Sequence, residues 1–270
     1  MEDQLTVFID LLGFSEASGQ ADLALQTRVL ALLVAIAGMR AEFSDQSDPI
    51  TEATRAIRLR PTITTFSDHI VASYPTARLI AKDENEALTL AFLDVTHFVA
   101  KVAAAALLHG FLIRGGLAYG PLFHTSGVVF GPAMIEAYQL ESRTAVYPRV
   151  VISPTLLERA KHAPILVHSP HFDHDGLGCV DFVRFMLGAL SPHGAEYHQK
   201  TREWFDTVAP TIRTTTEALR NANKIQAASK WLWFARKFSN SLRTTNPVIL
   251  QHSGIDPNSF GWADQMSLFS

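Results

Sequence analysis

Two acids in this chain sit where their chemistry needs explaining. Asp10 closes the apolar run Thr6-Val7-Phe8-Ile9 and is followed by Leu11-Leu12-Gly13-Phe14-Ser15. An unpaired carboxylate is costly to desolvate, so an acid at the end of a buried strand wants a cation or a cap. A helix-capping Asp is one answer. A metal ligand is the other, with the backbone N–H groups of Leu12, Gly13 and Phe14 open to an anion. Asp68 lies in Ser67-Asp68, between Pro61 to Phe66 and His69 to Tyr74, two runs rich in Thr, Ile, Val and aromatics that read as strands. Asp is common in hairpin turns for local reasons, so Asp68 alone is unremarkable. Two carboxylates at adjacent loop tips, however, make a site for hard cations such as Mg²⁺ and Mn²⁺. Two such ions can activate an attacking oxygen and neutralise a leaving pyrophosphate.

The elements around these acids decide whether they meet. A helical pattern runs from about Ala21 to Phe43, with Leu25, Val29, Leu32, Ile36, Met39 and Phe43 on one stripe. A polar connection follows from Ser44 to Arg60. Lys82 to Leu108 reads as a second long helix, with Ala87, Leu90, Ala91, Asp94, Phe98 and Val102 along one side. Phe111 to Gly120 is a strand with internal glycines, which mark close approach of another backbone or a ligand. Leu122-Phe123-His124 then folds against Val128-Val129-Phe130 as a hairpin. A helix from Gly131 to Ser142, a strand from Tyr147 to Ile152 and a short helix from Ser153 to Ala160 complete the order. The series predicts an α+β, ferredoxin-like (βαββαβ) antiparallel sheet with helices on one face. In that topology the end of the first strand and the tip of the middle hairpin lie side by side.

Beyond Ala160 the pattern weakens. Residues 161 to 183 read as a loop-rich β segment, and His171, Asp173, His174 and Asp175 as a solvated turn rather than a metal cluster. The tail from Gly194 to about Asn240 is helical, with Trp231, Trp233, Phe234 and Phe238 as packing aromatics; the last thirty residues read as irregular. The expected division is a catalytic domain over 1–185 and a helical extension over 186–270.

Composition narrows the partners. The chain has 270 residues, 47% of them hydrophobic, and a formal charge of −3 with no basic block. That argues against nucleic acid and leaves room for a small phosphorylated ligand. A single cysteine, Cys179, reads as a small core residue and fits a reducing compartment. The N-terminus has acids at Glu2 and Asp3 instead of a basic leader, and the longest apolar run, Val29 to Met39, falls short of a bilayer. The expectation is a cytoplasmic protein without membrane association. The sequence contains no P-loop, no Rossmann glycine fingerprint, no nucleophile elbow and no zinc helix motif.

Phe8-x-Asp10-Leu11-x-Gly13-Phe14-Ser15, Phe66-Ser67-Asp68, Ile113-Arg114-x-Gly116-x-Ala118-x-Gly120 and Gly127-x3-Gly131 together resemble the class III nucleotidyl (adenylate/guanylate) cyclase catalytic domain. The match covers roughly residues 4 to 160, in that family's order. Val129-Phe130-Gly131-Pro132-Ala133-x-Ile135-Glu136-Ala137-Tyr138-x-Leu140-Glu141, then Tyr147 to Ile152, look like the bacterial pyrimidine cyclases of Pycsar anti-phage systems, as does Lys230-Trp231-x-Trp233. The resemblance implies closure of a nucleoside triphosphate to its 3′,5′-cyclic monophosphate with release of pyrophosphate. Asp10, Asp68 and the Leu11 carbonyl would hold two Mn²⁺ or Mg²⁺ ions, and Leu12, Gly13 and Phe14 would cradle the β- and γ-phosphates. It also implies a homodimer with composite sites and a product, cUMP or else cCMP, that acts on a separate effector in anti-phage defence. Thr64 and Val128 align with the family's purine-selecting positions and cannot make those contacts, which favours UTP or CTP. Ile135 and Gln139 stand where the family carries an Asn and a transition-state Arg. Arg114, Arg143 and Arg149 are the candidates to replace it. A purine cyclase and an inactive nucleotide-binding module remain the alternatives.

Overall fold

The structure is a computed structural model of the whole chain. It describes residues 1–19, 22–44, 61–79, 81–161, 170–188, 195–245, 250–251 and 254–268. Most of the expected polar connection, residues 45–60, lies outside the described residues, as does 162–169 in the β segment. The chain divides into two compact units. One comprises Met1–Val99 with Ile113–Asp181, the other Ala100–Leu112 with Phe182–Ser270.

The first unit is built on strand β1 (Glu2–Leu12), which is buried on both faces from Gln4 to Leu11. Such a strand must pair on both edges and be covered above and below. It pairs antiparallel with β3 (His69–Pro75), and β3 pairs antiparallel with β2 (Thr62–Phe66). On its other edge lies β4 (Leu112–His124), followed by β6 (Val150–Ile152), β8 (Gly178–Val180) and β7 (Pro170–Phe172). β5 (Val129–Phe130) pairs back on β4, with Phe123 opposite Phe130. The order β2-β3-β1-β4, with helices between β1 and β2 and between β3 and β4, is the ferredoxin-like arrangement expected from sequence.

The helix pattern holds, with differences at its ends. After Gly13 comes a separate five-residue helix α1 (Phe14–Ser18), and only then α2 (Leu23–Ser44). Val29, Leu32 and Ile36 of the expected stripe are buried. Helix α3 (Glu84–Leu108) is more widely buried than one stripe, so Leu88, Phe92, Val95 and Val99 join its core positions. By length and composition it could cross a membrane, but 67% of its apolar window is buried inside the fold.

The strand from Phe111 and the first arm of the hairpin that follows are one long strand, β4, running through Pro121. Two of its glycines are required by space. A Cβ on Gly115 would come within 2.4 Å of the Phe8 carbonyl oxygen, and one on Gly116 within 2.2 Å of the Ala137 oxygen. The missing side chains let β4 lie close against β1 and against helix α4 (Pro132–Gln139). Phe8, Val71, Ala118 and Ala137 form the small core between this helix and the sheet. The helix does not run on as α to Ser142. Leu140–Thr144 is a π turn. The expected strand from Tyr147 is shorter, Val150–Ile152, and helix α5 (Pro154–Ala160) starts at Ser153 as predicted, with Leu156 N donating to Ser153 Oγ at 3.2 Å.

Arg149 is a correction. It was a candidate for a substrate-facing cation, yet its side chain is 2% exposed and committed elsewhere. Its guanidinium donates to Asp173 at 3.0 Å and to both oxygens of Asp175, at 3.0 and 2.6 Å. The polar turn is solvated at His171, His174 and Asp175, as the sequence suggests, and it also neutralises a buried cation, which is the condition for burying one. Arg149→Met is expected to destabilise this unit by about 3 kcal/mol, because Asp173 and Asp175 lose the guanidinium that neutralises them. Chemical denaturation followed by circular dichroism and tryptophan fluorescence checks it.

The second unit is helical, with α6 (Phe182–Gly188), α7 (Ala195–Asn221), α8 (Ile225–Thr244) and α9 (Gly261–Gln265). The helical tail is interrupted between Asn221 and Ile225, where Asn223 adopts φ +57°. Of the four clustered aromatics three are core, and Trp233 is half-buried. Trp231, Phe234 and Phe238 are buried, and Phe205 and Phe260 join them, the Phe238 and Phe260 rings lying 4.9 Å apart. The final residues are not wholly irregular, since α9 forms there and Arg236 Nε donates to its Ala263 carbonyl.

Candidate active site

The register that pairs β1 with β3 sets Asp10 directly opposite His69. Asp68, one residue earlier, occupies the β2–β3 turn, where Ser67 takes φ +54°. The turn is tied to the end of β1 by a hydrogen bond from Leu11 N to the Asp68 carbonyl at 3.0 Å. Asp10 and Asp68, far apart in sequence, therefore meet as the topology requires. Together with His69 they offer ligand atoms that all lie within 4.8 Å of one another.

Each of these groups has partners that orient it. Asp68 Oδ1 lies 3.1 Å from His69 Nδ1, and Asp68 Oδ2 accepts from Ser15 Oγ at 3.4 Å. His69 Nε2 faces Asp10 Oδ1 across 3.8 Å. The imidazole stacks on Phe66 with ring centres 5.3 Å apart and also lies 5.2 Å from Phe8. Asp10 is 8% exposed, and its Oδ2 accepts from Arg114 Nε at 2.9 Å. A cation thus sits against the buried carboxylate, as desolvation demands.

Arg114 serves a second acid that the sequence reading did not assign a role. Glu141 Oε1 lies 2.7 Å from the same Arg114 Nε, in ion-pair contact. The single Nε–H is donated to Asp10, so Glu141 Oε1 has no hydrogen bond of its own. Burial pushes the Glu141 carboxyl above its ordinary value; Arg114 pulls it down and Asp10 pushes it up again. Glu141 faces inward from the π turn after α4. Arg143, two residues on, is exposed.

Gly13 turns the chain out of β1 with φ +88°, a conformation glycine adopts without strain. Leu12, Gly13 and Phe14 thereby pass from the strand end into α1, beside the two acids. Thr64 and Val128 come to one place at the hairpin of β4 and β5. Thr64 Oγ1 lies 2.9 Å from His124 Nε2 and 3.5 Å from the Thr125 carbonyl, while Thr125 N donates to the Val128 carbonyl at 2.9 Å. His124 Nδ1 is in turn 2.8 Å from Ser73 Oγ. Val128 is half exposed.

His124 also carries a pH dependence. Burial lowers its imidazole from the ordinary value to about 4. The unfolded chain takes up this proton near pH 6.5, the folded chain only near 4. The stability from neutral His124 is therefore complete above pH 6.5 and is lost as the pH falls towards 4. Urea midpoints measured across that window are expected to fall more steeply for the wild type than for His124→Gln.

The donor set of the acid cluster fits a divalent cation: two carboxylates, one of them buried, with an imidazole between them and a counter-cation already drawn to the site.

No protein-family model matches the sequence, and no curated protein matches it. Among solved structures, the chain is similar to a bacterial light-regulated adenylyl cyclase at 15% identity, covering 67% of this chain and 91% of that one with a TM-score of 0.37. It is also similar to the guanylyl cyclase Cya2 at 18% identity, covering 66% of this chain and 91% of that one with a TM-score of 0.36.

Proposed function

We propose that this protein is a nucleotide cyclase, converting UTP to 3′,5′-cyclic UMP and pyrophosphate. The observation that carries the reading is the convergence of Asp10 and Asp68 beside the Leu12–Phe14 turn, within a ferredoxin-like sheet. In the reaction the 3′-oxygen forms a bond to the α-phosphorus as the bond from that phosphorus to the bridging oxygen of the pyrophosphate breaks, and the 3′-hydroxyl proton is lost. Asp10, Asp68 and the Leu11 carbonyl are the residues that would hold two divalent ions, Mn²⁺ or Mg²⁺. Bound there, such ions lower the pKa of an attacking oxygen and neutralise a leaving one. The protein's own part is to place and to neutralise. The backbone of Leu12, Gly13 and Phe14 meets the β- and γ-phosphates at a strand-to-helix turn. Arg114 is held beside Asp10 by Glu141 and supplies positive charge where the departing pyrophosphate develops negative charge. Arg143, exposed on the π turn, is a second cation for that task.

Base choice falls to the hairpin region of Thr64 and Val128, where neither residue can make the purine-selecting contacts of the family that the motifs resemble. The same resemblance makes the active form a homodimer with two composite sites. It makes cUMP a second messenger for a separate effector in anti-phage defence, with a catalytic domain over 1–185 and a helical extension over 186–270. The alternative product is cCMP from CTP.

The test is to incubate the purified chain with all four ribonucleoside triphosphates and Mn²⁺ and to identify products by mass. Predominant cUMP is the expected outcome. Only cAMP or cGMP would replace the reading with a purine cyclase, and bound nucleotide without product would replace it with a binding module.

A further inference from the structure

We infer that Arg114 stands on Asp10 as a displaceable counter-ion, and that Glu141 is the positioning residue that receives it when a divalent cation takes Asp10. The inference rests on the metal reading of Asp10 and Asp68 above and goes beyond it, to how Asp10 is made available. One N–H serves two carboxylates. Arg114 Nε donates to Asp10 Oδ2 at 2.9 Å, and Glu141 Oε1 lies 2.7 Å from the same nitrogen. A guanidinium Nε carries a single hydrogen, which can be aimed at one of the two oxygens and not at both. The two acids therefore give Arg114 two alternative seats.

The seats differ in what else can use them. Asp10 offers an oxygen within 4.8 Å of ligand atoms on Asp68 and His69, and Glu141 lies outside that group. The Glu141 side chain is 3% exposed, against 11% for Asp10, so it is the deeper of the two and the better shielded as an ion pair.

To free Asp10 for a divalent cation, Arg114 has to give up Asp10 Oδ2, because like charges on one carboxylate repel. Without Glu141 the guanidinium would have to exchange a charge-assisted hydrogen bond for water. With Glu141 the change is a turn of one N–H between oxygens that already touch the same nitrogen. The backbone is not free to make the adjustment instead. Gly115 and Gly116, which follow Arg114 on β4, lie so close to β1 and α4 that neither has room for a Cβ. Glu141 is in turn aimed inward by the π turn Leu140–Thr144. Arg114 seated on Glu141 stays beside the acids as the cation that the phosphate chemistry needs.

The test is nuclear magnetic resonance of the Arg114 Nε–H in the full chain, titrated with diamagnetic Mg²⁺, with Mg²⁺ affinity measured by calorimetry on the same samples. Arg114→Lys identifies the signal. In the wild type the signal is expected to move as Mg²⁺ saturates the site and to stay protected from solvent exchange, since it passes from one acceptor to another. Glu141→Met, which has no acceptor, is expected to weaken Mg²⁺ binding about tenfold, the worth of a hydrogen bond to a charged group. Glu141→Gln keeps an acceptor oxygen without the charge and should recover part of that loss. A wild-type signal that stays put at saturating Mg²⁺, or that is lost to solvent exchange, overturns the transfer to Glu141. Affinity unchanged in Glu141→Met, or weakened equally in Glu141→Gln and Glu141→Met, overturns the acceptor role and leaves the carboxylate site standing. Mg²⁺ binding indifferent to Asp10→Ala overturns the metal reading and the inference with it. The wild-type titration decides the matter even if a Glu141 variant folds poorly.

Discussion

Asp10→Ala is expected to cut cyclic nucleotide formation on the order of a thousandfold or more, as loss of one member of a catalytic unit does elsewhere. The fold should survive. Asp10 lies near the end of its strand and contributes a side chain whose partner, Arg114, keeps a second carboxylate in Glu141. Removing Asp10 therefore strands no buried charge: the Arg114 Nε–H is freed to turn to Glu141 Oε1, already 2.7 Å away. The thermal midpoint should stay near the wild-type value or rise, since a desolvated carboxylate has gone. Turnover and melting measured on one preparation check both halves. Loss of activity with loss of fold would make Asp10 a structural acid.

Gly116→Val is expected to show the opposite pattern, a loss of fold that takes activity with it. The nearest neighbour of a Cβ at this position is a backbone oxygen, that of Ala137, at 2.2 Å, and the Leu140 Cβ follows at 2.6 Å. Neither belongs to a flexible side-chain end, so β4 and helix α4 must separate. Overpacking of this kind costs about 3 kcal/mol. In a domain of this size that lowers the melting temperature by about 10 °C. The same helix leads into the π turn carrying Glu141, so the displacement also moves the acid that holds Arg114. Calorimetry of the variant beside Gly120→Ala, whose Cβ would meet nothing within 4 Å, separates crowding from the mere loss of a glycine.

What could be read from sequence follows the range of the interactions involved. The β1 run, the Ser67-Asp68 hairpin and the α2 stripe are local patterns, and the structure has all three. The meeting of Asp10 with Asp68 is not local, yet it followed from the strand order, because a βαββαβ series brings the first strand to the middle hairpin. Glu141 escaped notice for a geometric reason. The helical reading ran straight to Ser142, and a π turn at Leu140–Thr144 re-aims the side chains after Gln139. Arg149 was misplaced because its partners, Asp173 and Asp175, lie in a later turn whose polarity looked self-explanatory. The usable signal was the Asp-x-Asp spacing beside a buried strand preceded by an arginine. His69 was legible in principle: a residue following a turn acid, and paired with a strand-end acid, must stand between the two.

The central claim is that Asp10 and Asp68 support an internal phosphoryl transfer. It is tested most directly by following UTP and Mn²⁺ with the wild type, Asp10→Ala and Asp68→Ala, and quantifying 3′,5′-cyclic UMP together with pyrophosphate. The account predicts that the wild type releases the two products in equal amounts and that neither variant makes either. Phosphate or UMP in place of the cyclic product, or cyclic product undiminished in both variants, would contradict it.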